Sequence, residues 1–175
     1  MQSLLPSLVV LGTAACVSIW LTISRDYRQV DSATGGETMT WFAIATGTQI
    51  IHFLEEYLTG FPRSLAEVFG LDPMSDMFFL VFNLSWMAVW VWSVFNLEKS
   101  SFAVFSAWFL SIAGLANAFL HPMLALASFS YFPGVITSSF VGGACFMLGR
   151  KLNEIGNESG RREAWRNAVE SRRDE

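Results

Sequence analysis

The chain has 175 residues, 53% hydrophobic and only 15% charged, with a formal net charge of −4. Soluble domains average about 45–50% apolar and about 25% charged residues, so this balance points away from an ordinary water-soluble globule. The basic residues form no polybasic block, because those after position 149 are interleaved with almost as many acidic ones, and this excludes a nucleic-acid partner.

About 20 apolar residues cross a hydrocarbon core. Five stretches qualify: residues 4–23, 39–58, 77–97, 102–121 and 129–149. The first holds Gly12-Thr13-Ala14-Ala15-Cys16, which resembles a lipoprotein cleavage site. No Lys or Arg precedes it and the apolar run continues to Ile23, so it reads as a retained helix. Cys16 and Cys145 have no second Cys nearby and read as small buried apolar residues.

Residues 31–37, with Gly35-Gly36, read as a flexible polar connection. The second stretch carries His52-Phe53-Leu54-Glu55-Glu56. Between the second and third, residues 61–76 place Leu65, Val68, Phe69 and Leu71 among polar side chains, which suits a short interfacial helix ended near Asp72-Pro73. The third stretch holds Asn83, Trp86, Trp90 and Trp92. The fourth holds Trp108, Asn117 and His121 and stops at Pro122, and Pro133-Gly134 bends the start of the fifth. The tail, residues 150–175, reads either as an amphipathic helix carrying Trp165, Ala168 and Val169 or as a solvated, partly disordered segment.

Arg25, Arg28, Lys99, Arg150 and Lys151 fall in loops of one parity, and only Arg63 falls in the other. The positive-inside rule then gives N-terminus out and C-terminus in. The expected fold is an all-α membrane protein, a bundle of five transmembrane helices in the cell membrane. Residues 1–24 are its N-terminal helix, residues 39–149 a four-helix membrane domain and residues 150–175 a charged cytoplasmic tail.

A charged side chain within a span costs roughly 2.5–3.5 kcal/mol on insertion scales, so it needs a reason. With this orientation His52, Glu55, Glu56, Asn83, Asn117, His121 and Pro133-Gly134 all lie in the outer half of the bilayer. Coincidence of depth is the argument that they form one site. Residues three and four apart share a helix face, so His52 with Glu55 and Glu56 makes one ridge, and Asn117 with His121 another. Small residues such as Gly114 on the second ridge let the two helices face each other closely.

Histidine and carboxylate ligands on facing helices are how helical bundles hold metals. His52, His121 and one or both of Glu55 and Glu56 suit a divalent zinc, iron or manganese, with Asn117 as weak ligand or orienting donor. The carboxylate outside the metal shell would be the acid/base. Without metal, the same His–Glu pair is a catalytic acid/base couple for a lipid-like substrate, with Trp86, Trp90, Trp92 and Trp108 available to stabilise positive charge. The blander alternative has a carboxylate reaching the interface to pair with Arg63, the asparagines as interhelical hydrogen bonds and the tryptophans as packing. The expected partners are the lipid bilayer and a hydrophobic small molecule, and oligomeric state has no signature in the sequence. A non-catalytic scaffold or small-molecule sensor is the third class left open.

His52-Phe-Leu-Glu55-Glu56, then Asn117-Ala-Phe-Leu-His121, then Pro133-Gly134, in that order, resemble the motifs of the HXXEE-domain family, over roughly residues 39–149. The resemblance implies a small multi-pass membrane domain with catalytic or metal-binding polar motifs, and no assigned activity. A second similarity is to the five-span sterol isomerases of the emopamil-binding protein family, which place a His and a Glu one turn apart on the second span. It implies proton transfer on a sterol- or isoprenoid-like ligand.

Overall fold

A computed structural model describes residues 5–25, 27 and 32–171. They form six helices: α1 Leu5–Ile23, α2 Ser32–Thr59, α3 Phe61–Phe69, α4 Asp76–Asn96, α5 Ser101–Ser128 and α6 Val135–Ser171. By length and composition, α4 and α5 are apolar enough to cross a membrane, and Ser7–Ile23 is a shorter apolar helix.

The fifth helix is the hub, packed against α1, α4 and α6, while α2 lies against α6 and α4. Ser100 caps its start, its hydroxyl accepting from the Ala103 N–H at 3.4 Å. Pro122 does not end it, contrary to the sequence reading, because the helix continues to Ser128. Proline removes one hydrogen bond from the ladder, at roughly 3 kcal/mol, and the buried stretch of the helix, which ends at His121, outweighs that local penalty. The helix stops at Phe129, a left-handed residue (φ 50°), where the N–H groups of Phe129 and Ser130 close back onto Leu126 and Ala125.

Small residues set the α5–α6 distance. A Cβ on Gly114 would collide with the Cys145 Sγ, and one on Gly142 with the Ala118 Cβ. Ser111 uses the close approach to donate across the interface to the Cys145 carbonyl at 2.8 Å. Gly114 therefore joins α5 to α6 rather than to α2. The expected meeting of the second and fourth apolar stretches occurs at His52, Asn117 and His121, while both helices pack most extensively against α6.

Residues 32–37 are the opening turns of α2, not a loop. Glu37 at their end pairs with Lys151 at 2.7 Å, and Lys151 also reaches Glu154 at 2.9 Å. These two carboxylates, Glu37 first, raise the ammonium above its ordinary pKa. Asp31 and Arg28 lie outside the described residues. The short helix expected between the second and third apolar stretches forms as α3 but ends earlier than Asp72-Pro73, at left-handed Gly70, whose N–H and that of Leu71 close the last turn. Tail residues up to Ser171 continue α6 as helix, with Trp165 exposed, and residues 172–175 lie outside the description. Cys145 is buried as expected, but Cys16 is exposed on the outer face of α1.

Candidate metal centre

The site forms where α2, α5 and the start of α6 meet. His52 is fully buried, and His121 and Glu56 are 3% and 6% exposed. Their imidazoles stand edge to face with centroids 4.8 Å apart, although 69 positions separate them in the chain (121 − 52 = 69). The sequence reading required these two positions to meet, and they touch.

What holds them is the turn before α6. Gly134 has φ +86°, a conformation open to glycine and strained for other residues. A Cβ there would sit 2.7 Å from Cε1 and Nδ1 of His121 and 2.7 Å from Cε1 of His52. Only a residue without a side chain lets the backbone lie against both rings. The preceding carbonyl, that of Pro133, takes the Nδ1–H of His121 at 2.6 Å. A carbonyl can only accept, so this bond assigns the His121 proton to Nδ1 and leaves Nε2 bare.

A second chain of bonds assigns His52. Glu55 turns away from Glu56 toward α6, where it accepts from the Tyr131 hydroxyl (2.6 Å), the N–H groups of Ile136 (3.2 Å) and Thr137 (2.9 Å), and the Thr137 hydroxyl. A carboxylate from α2 thus caps the first turn of α6, which also places negative charge at the positive end of that helix. The Thr137 proton is committed to Glu55, so its oxygen accepts the Nδ1–H of His52 at 2.8 Å. His52 Nε2 is bare as well.

Both free Nε2 atoms converge on one carboxylate oxygen. Glu56 Oε1 lies 3.5 Å from His52 Nε2 and 3.4 Å from His121 Nε2. The three residues offer ligand atoms all within 4.8 Å of one another. Four ligands 2.0–2.1 Å from a tetrahedral ion stand about 3.3–3.4 Å apart, close to both nitrogen–oxygen separations, while the cluster as a whole spans up to 4.8 Å and would have to tighten around an ion. Asn117 approaches His52 Nε2 at 3.4 Å, at the limit of a hydrogen bond.

The expected residues thus divide. His52, Glu56 and His121 form the cluster, with Asn117 beside it; Glu55 stands one layer out as the α6 cap. Asn83 donates to the Phe79 carbonyl of its own helix at 2.9 Å and, with Trp86 and Trp90, lines an adjoining cavity of about 240 Å³ that also reaches Glu56, Asn117 and His121. Trp92 is half-exposed beside Phe102, and Trp108 donates to the Tyr27 hydroxyl at 2.8 Å, so neither belongs to the site. Arg63 pairs with Asp76 at 3.4 Å, not with a site glutamate.

Thr137, Tyr131 and Phe61 escaped the sequence reading. Phe61 covers the site, its ring 5.7 Å from His121 and 5.8 Å from Phe132. Thr137 carried a usable signal: a hydroxyl three residues after Pro133-Gly134, at the depth already marked by the other polar groups.

No curated protein and no solved structure matches the chain. A comparison with protein families matches residues 41–147 to one described as proteins of unknown function with an HXXEE motif. That span runs from within α2 through the first third of α6 and takes in every residue of the cluster and its supports, and on it the chain belongs to the HXXEE family.

Proposed function

We propose that the protein is an integral membrane enzyme that uses a divalent metal held by His52, Glu56 and His121 to act on a hydrophobic small molecule. The observation that carries this reading is the convergence of two bare imidazole nitrogens on one carboxylate oxygen at the spacing of a metal's ligands. Two His and one carboxylate is the donor set of hydrolytic zinc centres and of oxygen-activating iron centres, both of which keep a position open for substrate. Here the open side faces the cavity, which Glu56 and His121 both line. The ion would supply Lewis acidity there. The protein's own contribution is orientation: both Nδ1–H groups are engaged, so each ring is fixed with its lone pair inward.

In this reading α1, α2, α4, α5 and α6 are five spans, with the N-terminus out and the C-terminus in, in the cell membrane. Large apolar side chains exposed on several helices support it, among them Trp20 on α1, Phe95 on α4, Phe119 on α5 and Phe140 on α6. Soluble monomers rarely expose contiguous apolar patches beyond a few hundred Å². The distribution of Lys and Arg supplies the orientation.

A second reading has its own support. Without an ion, the two bare nitrogens facing Glu56 call for a proton on the carboxyl, and the trio becomes a buried acid/base relay suited to isomerising or cyclising a sterol- or isoprenoid-like ligand.

Elemental analysis of the purified protein decides between them. Near-stoichiometric zinc, iron or manganese, lost in His52→Ala, His121→Ala and Glu56→Gln, is the expected result. Failure of the wild type to take up any of these metals refutes the metal reading.

A further inference from the structure

The cavity beside the cluster is long and uneven in chemistry. Its polar side chains, Glu56, His121 and Asn117, gather at one end, with Asn83 a turn and Gln49 two turns deeper. Apart from Ser7 of α1, the rest of its wall is aromatic and aliphatic, and it takes in Trp86, Trp90 and Phe109. The Phe61 ring touches both Phe79 and His121, which puts Phe79 level with the cluster. Trp90 stands three turns further along α4, roughly 16 Å at 1.5 Å per residue. An apolar cavity of about 240 Å³ extended over that length suits an elongated ligand laid along the helices.

The walls come from α1, α2, α3, α4 and α5, and α1 and α4 each pack on α5. Leu8 of α1 and Phe78 and Phe82 of α4 line the cavity and are themselves 58%, 48% and 37% exposed. An entrance rimmed by exposed apolar side chains admits molecules from a hydrocarbon phase more readily than from water.

We propose that this channel binds a single-chain lipid with a small oxygen head group, which enters sideways between α1 and α4, places its head at Glu56 and His121, and lays its chain toward Trp86 and Trp90. The proposal rests on the metal reading for the preference of the head, since an oxygen lone pair is what an open metal position takes. The elongated shape and the apolar wall favour the chain.

Full-length protein in phospholipid nanodiscs is exposed to a dodecanoic acid bearing a diazirine at mid-chain, and after illumination the labelled peptides are mapped by mass spectrometry. Labelling is expected on α4 and α5 around Trp86 and Phe109. It should be displaced by dodecanoic acid and dodecanol, not by dodecane, and lost in Ala113→Phe, which fills the channel without touching the cluster. Labels scattered over lipid-facing residues such as Phe95 and Phe146, or displacement by dodecane equal to that by the acid, overturn the proposal. The competition series in the wild type keeps the test valid even if Ala113→Phe fails to fold. Metal content measured in the same samples separates the two ideas. Metal with scattered labelling sinks the lipid site alone. Channel labelling that ignores the head group, in protein that takes up no metal, sinks both.

Discussion

Replacing Gly134 with alanine tests the whole construction of the site. The residue is left-handed, where a side chain costs about 1–2 kcal/mol. The new Cβ would lie 2.7 Å from ring atoms of both His121 and His52. Ordinary carbon contacts start near 3.5 Å, so the rings or the turn must give by roughly 0.8 Å. Functional constellations tolerate about 0.5 Å, and disturbing the support of a ligand typically lowers metal affinity about 10–100-fold. Strain and displacement together give a loss of about 2–4 kcal/mol in stability. Zinc or cobalt affinity, measured by competition with a chromogenic chelator, and thermal unfolding in detergent read the two effects separately. Gly143→Ala is the control: it is exposed, helical and has nothing within 4 Å of its added Cβ, so it should be neutral or slightly stabilising. A Gly134→Ala protein with wild-type affinity and unfolding temperature would refute the argument that this turn sets the imidazoles.

Glu55→Gln should weaken metal binding about 10–100-fold although Glu55 is no ligand, because the amide cannot accept all four donors now on the carboxylate. Chelator competition checks it, and unchanged affinity would show that Thr137 orients His52 unaided. Gly142→Val should prevent accumulation of folded protein, since even a Cβ there runs into Ala118; normal expression with native gel-filtration behaviour would contradict the close α5–α6 packing. Arg63→Ala should change stability by only about 0–1 kcal/mol, because the Arg63 and Asp76 side chains are 73% and 59% exposed. A larger drop in unfolding temperature would mean the pair does more than its exposure allows.

The sequence made the site's members legible for a simple reason: imidazoles and carboxylates stand out in apolar stretches, and counting residues along alternating helices puts them at one depth. Which carboxylate does what was not legible. Positions 55 and 56 flank His52 on either side of the same helical stripe, so periodicity admits both, and only the neighbours decide. Glu56 meets His121, while Glu55 meets the open end of α6. Helix partners were equally hidden. Gly114 signals a close approach but not to whom, and the answer was α6, through Cys145 and Val141. Local rules misled at Pro122 and at residues 32–37. A lone proline and a glycine pair read as breaks, yet the buried helix leading up to the first and the Glu37–Lys151 pair near the second accompany unbroken helix.

The two Nδ1 anchors have a further consequence. Side chains that must be frozen when a ligand arrives each subtract about 0.5–1.5 kcal/mol from affinity. Here the Pro133 carbonyl and the Thr137 hydroxyl freeze both rings as the chain folds, so that entropy is surrendered once, during biosynthesis. In the proposed metal reading, an ion would find both imidazoles already oriented and would leave only Glu56 to settle around it.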